Sequence, residues 1–136
     1  MYEVSLENGL GPIKFGFRPN QVKSMLGSEL HYEEWMGGNL ENFLFYKGLL
    51  IGFKGEIESS PSEDSFVCMF QVKTTHPLYI WGKEITRATK PEISKMLAEQ
   101  NIKFAMLTNG NFESEDGKLQ FNFDGAGVLD EVYFAN

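Results

Sequence analysis

The chain has 136 residues, 42% of them hydrophobic and 14% aromatic, which suits one folded core and excludes a disordered or low-complexity chain. Nineteen acidic against twelve basic residues give a net charge of −7, which argues against direct binding to phosphate backbones. A single cysteine, Cys68, rules out an internal disulfide. The first residues lack a basic and apolar leader pattern, and no apolar run approaches the roughly 20 residues of a membrane helix, so the expected location is the cytoplasm.

In chain order, Tyr2–Leu6 reads as a short strand broken by Gly9 and Gly11-Pro12. Ile13–Phe17 alternates and ends near Gly16. Pro19 then opens a helix whose apolar stripe is Val22, Met25 and Leu26, with Gly27 as the stop. Strands are expected at Leu30–Trp35, Glu41–Tyr46, Leu49–Phe53 and Phe66–Lys73, with a tight turn at Gly48 and a polar loop from Lys54 to Ser65. Strict alternation in the fourth strand places Phe66, Cys68, Phe70 and Val72 on one face, and apolar residues on both faces predict a central strand. Leu78–Gly82 reopens the pattern, with Trp81 expected in the core. Thr89 and Glu92 fit a capping box for a second helix with Ile93, Met96 and Leu97 inward, ending near Gln100. Strands at Ile102–Leu107, Phe112–Glu115, Lys118–Phe123 and Val128–Phe134 complete the chain. In the third of these, Gln120 and Asn122 mark a wet face.

The order of parts repeats. The helix starts at residues 18–26 and 89–97, the runs Gly38–Glu41 and Gly110–Glu113, and the strands Leu49–Phe53 and Leu119–Phe123 correspond at offsets of 71, 72 and 70 residues. The expected fold is therefore α+β, one domain of two pseudo-repeats at about 10–73 and 78–136. Each repeat would be a short helix followed by an antiparallel meander, with a short strand leading in.

Recognisable catalytic or metal-binding patterns are absent from the sequence. His31 and His76 show no ligand spacing, and Cys68 paired with either histidine sits in an apolar strand where a thiol is a small buried hydrophobe. No phosphate loop, dinucleotide fingerprint or nucleophile elbow occurs. Glu33 and Glu34 point to opposite faces of a strand and cannot form a carboxylate dyad. No metal and no cofactor are expected. Trp35, beside Met36 on a glycine-flanked acidic tip, is either an interface anchor or a core residue at a strand end.

The run Gly11-Pro12-Ile13-Lys14-Phe15-Gly16-Phe17 through Val22 to Leu26-Gly27 resembles a pattern of small bacterial immunity proteins of toxin–immunity systems, including contact-dependent growth inhibition. Trp81-Gly82-Lys83-Glu84-Ile85 to Leu97 is similar to the degenerate second copy found there. Similar helix starts occur in the small lipoprotein of the outer-membrane β-barrel assembly machine, from which this chain departs by lacking a leader and a lipidated cysteine. The immunity resemblance implies a non-enzyme that binds one cognate toxin domain and blocks its active site, with no nucleic-acid or membrane partner. Contact positions differ from pair to pair in that group, so none is carried over.

Charge independently fits a basic toxin, such as a nuclease with a basic cleft. The candidate contacts are Glu33, Glu34, Trp35 and Glu41 on one hairpin, then Glu56, Glu58 and Asp64, then Glu113, Glu115 and Asp116. The alternative is a small-molecule-binding or enzymatic α+β domain with a pocket between the repeats.

Overall fold

The computed structural model describes residues 2–28, 43–55 and 63–136. The chain runs β1 (Tyr2–Ser5), β2 (Gly9–Leu10), β3 (Ile13–Lys14), α1 (Pro19–Leu26), β4 (Phe43–Tyr46), β5 (Leu49–Lys54) and β6 (Phe66–Lys73). It continues β7 (Leu78–Ile80), β8 (Lys83–Glu84), α2 (Lys90–Glu99), β9 (Phe104–Met106), β10 (Phe112–Ser114), β11 (Leu119–Phe123) and β12 (Leu129–Ala135). The expected strand at Leu30–Trp35 and the start of Glu41–Tyr46 lie outside the described residues, as does most of the polar loop after Lys54. The α+β class holds, with strand predominating.

Two sheets form. The larger has the order β4-β5-β6-β12-β11-β10-β9, every neighbouring pair antiparallel. The smaller has the order β3-β2-β1-β7-β8. In place of one lead-in strand, β1 lies between two short hairpins, antiparallel to β2 and parallel to β7. The sequence did not predict this second sheet, because its strands are two to four residues long and carry too little periodicity to read.

One core joins everything. From the large sheet come Leu49, Ile51 and Phe53, then Val67, Phe70 and Val72, and then Leu119, Phe121, Leu129, Val132 and Phe134. From the small sheet come Val4, Leu10, Ile13, Leu78 and Ile80, and from the helices Val22, Ile93, Met96 and Leu97. The helices and the small sheet therefore share the inner face of the large sheet. Phe70 and Phe134 stack at 5.2 Å between centroids, and Phe15 leans on both. Burying each such ring contributes about 2–3 kcal/mol.

The alternation expected in β6 breaks at Cys68. Gly52 pairs with Met69, but Phe53 pairs with Val67, so Cys68 is the extra residue of a β-bulge. The bulge reverses the faces, and Val67 joins Phe70 and Val72 in the core while Phe66 is left exposed. Val67 also accepts from the Gly16 N–H and donates to Phe17 O, tying β6 to the lead into α1. The equivalent irregularity in β12 leaves Asp130 unpaired between Glu131 and Leu129.

Local chemistry accounts for the helix ends. Thr89 N–H donates to Glu92 Oε1 at 3.1 Å and Glu92 N–H to Thr89 Oγ1 at 3.5 Å, the capping box the sequence predicts. Asn101, in the left-handed region at φ 57°, closes α2, with Ile102 N–H donating to Leu97 O and Asn101 N–H to Ala98 O. Arg18 begins α1 for a different reason. Its Nη1 donates to the carbonyls of Asp64 at 2.6 Å and Ser65 at 3.2 Å, while Glu63 Oε1 accepts from the Asn20 N–H at 3.4 Å. Gln21 Oε1 also accepts from the Arg18 N–H at 2.8 Å, so the start of α1 is held both locally and by the segment leading into β6.

Two turns need special backbone. Gly48 takes φ 65° between β4 and β5, and a Cβ there would meet Thr75 Oγ1 at 2.5 Å. Trp81, expected in the core, instead occupies the β7–β8 turn at φ 51°, half-buried against the core edge. Arg18→Ala is expected to destabilise the fold by about 1 kcal/mol, within the range for hydrogen bonds from a charged donor near solvent. Urea unfolding of the variant checks this, and an unchanged midpoint would dismiss the clamp.

Candidate functional site

The outer face of the large sheet carries a connected set of polar side chains. Register aligns Gln71 on β6, Tyr133 on β12, Gln120 on β11 and Glu113 on β10 in one row across the strands. Glu131 and Asn122 lie opposite each other in the next row, with Lys73 across from Glu131. All of these side chains alternate with core residues on their own strands, so they face away from the helices.

Hydrogen bonds link them. Gln71 Nε2 donates to Glu131 Oε1 at 2.7 Å, Asn122 Nδ2 donates to the same oxygen at 2.8 Å, and Gln120 Nε2 donates to Asn122 Oδ1 at 2.7 Å. Two amides from the strands on either side of β12 thus orient one carboxylate. Tyr133 is half-buried beside them. Burial raises its phenol pKa above the ordinary value, and the nearby Cys68 and Glu113 add to the rise, so the hydroxyl stays protonated near neutral pH.

Of the residues the sequence singles out for partner contact, Glu33, Glu34, Trp35, Glu41, Glu56 and Glu58 lie outside the described residues. The other four separate into two places. Asp64 is exposed beside the start of α1, where its carbonyl takes the Arg18 guanidinium. Glu113 belongs to the outer face of β10, and Glu115 and Asp116 follow it into the β10–β11 turn. The sequence reading missed Gln71, Glu131 and Tyr133. Alternation along β12 was the available signal, and it gave no hint of which strand would lie alongside.

Asp116 is held by its turn. The Ser114 hydroxyl donates to Asp116 Oδ1 at 2.7 Å and the Lys118 N–H at 2.9 Å, and these bonds keep its pKa below the ordinary aspartate value. Ser114 Oγ also accepts from the Leu119 N–H at 3.1 Å, so this hydroxyl serves the turn. Around it lie two open clefts. One, of about 270 Å³, runs between Leu6 and the Leu119 and Ala135 strand ends; the other, of about 400 Å³, is bordered by Ile102, Lys103 and Glu115.

Cys68 is half-buried at its bulge. Burial raises its pKa, with Lys54 acting in the opposite direction. His76 is engaged elsewhere, its Nε2 on the Lys47 carbonyl at 2.5 Å and its ring against Tyr2. His31 lies outside the described residues. Among the described residues no cluster of three His, Cys, Asp or Glu side chains could hold a metal ion, and no helix is long and apolar enough to cross a membrane.

Comparison with protein-family models, with curated proteins and with solved structures returns no match for this chain.

Two solution measurements follow from these sites. Because the folded pKa of Asp116 is depressed, its carboxylate contributes stability at neutral pH that disappears as pH falls below the ordinary aspartate range. NMR titration should find Asp116 ionised to lower pH than an unpaired aspartate, and Ser114→Ala should move it back upward. No difference between the two proteins would refute the assignment. Cys68 should alkylate more slowly than a free cysteine at pH about 8, where an unperturbed thiol is partly ionised; a faster rate would reopen a nucleophilic role.

Proposed function

We propose that this chain is an acidic inhibitor of a basic protein, in the manner of the small bacterial immunity proteins that its Gly11–Gly27 run resembles. In this reading it neutralises a cognate toxin domain by covering the active site, and it performs no chemistry itself. The observation that carries the reading is uncompensated negative charge. Nineteen acids stand against twelve bases, so seven negative charges are left over however the bases pair, and the Lys83–Glu99 pair at 3.6 Å lies between exposed side chains. Acids so placed add little to stability. They do create a field that speeds encounter with a basic surface and disfavours nucleic acid.

A scaffold of two related halves supports the same reading. A hairpin precedes each helix, each helix carries Pro at its first turn, and each meander bulges at a matching place, Cys68 in β6 and Asp130 in β12. Duplication supplies a broad sheet surface and leaves the loops free to diverge toward one partner. The cleft of about 270 Å³ between Leu6 and the second meander favours the other reading, a small-molecule site, although it lies within the second half and the lead-in segment and not between the halves. Its rim offers Asp116, Lys118 and Asn136, with the Asp116 carboxylate already engaged by Ser114 and the Lys118 N–H.

The test is affinity capture from the source lysate at about 0.05 M and about 0.5 M salt, since exposed charge attraction is screened within a few ångströms at the higher value. The expected result is one basic domain, released by salt, whose toxicity to growing cells is relieved when this chain is co-expressed. A partner whose activity the chain leaves intact would sink the inhibitor reading. Retention of a metabolite in place of a protein would favour the cleft.

A further inference from the structure

Resting on that reading, we infer that the partner is gripped on the open face of β10, β11 and β12 through an arginine side chain seated on Tyr133, paired with Glu131 along the same strand and attracted by Glu113 two strands across. The helices and the small sheet pack on the opposite face, so this surface contributes nothing to the core described above. A wet sheet face needs only scattered polar groups. Here, instead, three amides from two strands form a directed chain that ends on one carboxylate.

Both amide donors reach Glu131 Oε1, and Oε2 accepts no hydrogen bond among the described residues. The carboxylate is thus fixed in orientation with one oxygen open. Tyr133 lies two residues along the same face of β12, and its protonated ring offers a stacking surface. Glu113 comes from two strands away in the same row, close enough for its charge to bear on the Tyr133 phenol.

A carboxylate, an aromatic face and a second carboxylate match a planar guanidinium, which pairs with oxygen at its edge and stacks through its plane. A lysine ammonium fits less well, having no plane to stack and no fork to present. The bases that share the area are Lys73, opposite Glu131 in register, and Lys103 and Lys118 flanking β10 and β11. They oppose the approach of a cation from the sheet's flanks, which confines the attraction to the neighbourhood of Glu131, Tyr133 and Glu113.

The experiment uses the full chain and the peptide acetyl-(Arg-Gly)3-amide, with its lysine counterpart as control, followed by ¹⁵N NMR. The expected result is saturable movement of the Gln71, Gln120 and Asn122 side-chain amide signals and of the Tyr133 backbone amide. The lysine peptide should bind about fivefold more weakly. Glu131→Gln keeps an oxygen for both amide donors and so preserves the fold, while its loss of charge should weaken the arginine peptide about tenfold. A thermal melt confirms that the variant is folded.

Equal affinity for wild type and E131Q, equal affinity for the two peptides, or movement confined to Asp64, Glu115 and Asp116 would each overturn the site. The peptide result is independent of any toxin. Arginine binding here without capture of a basic protein would retire the inhibitor reading and leave the site standing. A basic protein that wild type and E131Q capture equally would do the reverse.

Discussion

The pairing of β6 with β12 is the constraint on which the rest of the structure depends. Five residue pairs, from Lys73–Glu131 to Met69–Ala135, join two antiparallel meanders edge to edge into one seven-stranded sheet. Without that junction each meander would have an exposed edge in place of a central strand. With it, Phe70 and Phe134 are brought into contact on the inner face, where Phe15 and the helices close over them. On the outer face the same register sets Gln71 beside Tyr133 and Lys73 opposite Glu131. Core and candidate site are two sides of one set of hydrogen bonds.

The bulges refine what the junction begins. By inserting Cys68 the chain rotates the beginning of β6 so that Val67 faces inward and its backbone is available to Gly16 and Phe17. Asp130 marks a similar step in β12, after which the Leu129 N–H meets the Ala88 carbonyl just before α2. Each bulge therefore turns a long strand toward the lead into its helix. Short helices of eight and ten residues have little stability alone. They persist because their caps and buried stripes are held by the sheet.

Electrostatics acts on a different level from packing. Among the described residues no charged side chain is buried, and the buried polar ones are Ser65 and Ser114. Among the described residues no acid is buried, so solvent screens these charges and they act less on folding than on the field around the molecule. What distinguishes Glu131 from Glu115 or Asp64 is orientation. Two amides from neighbouring strands fix the direction of its carboxylate in the free chain.

Much of the scaffold was legible in the sequence, because short-range periodicity is written residue by residue. The cap Thr89–Glu92, the turn at Gly48 and the alternation of β11 are satisfied within a few residues, and each appears where the pattern places it. The stripe expected on α1 holds only in part: Val22 is buried and Leu26 half-buried, while Met25 turns outward, because the short helix meets the core along one narrow line. Less of the candidate site was legible. Acid counting led to Glu113 and its turn, but Gln71 and Glu131 are 60 residues apart and neither is unusual in its own strand. Their meeting is decided by strand order and register, as is the bulge that places Cys68 outside the alternation. Arg18 shows the same division: nothing nearby explains it, and the carbonyls that do lie 46 and 47 residues further along the chain. Sequence by itself determined the type of the longer elements and most of their facing, since that follows from backbone periodicity, and it failed at Phe66, Met25 and Trp81, where a bulge, a short helix and a turn intervene. Only the tertiary structure decided which elements become neighbours, since that follows from one shared core and the hydrogen bonds of the sheet.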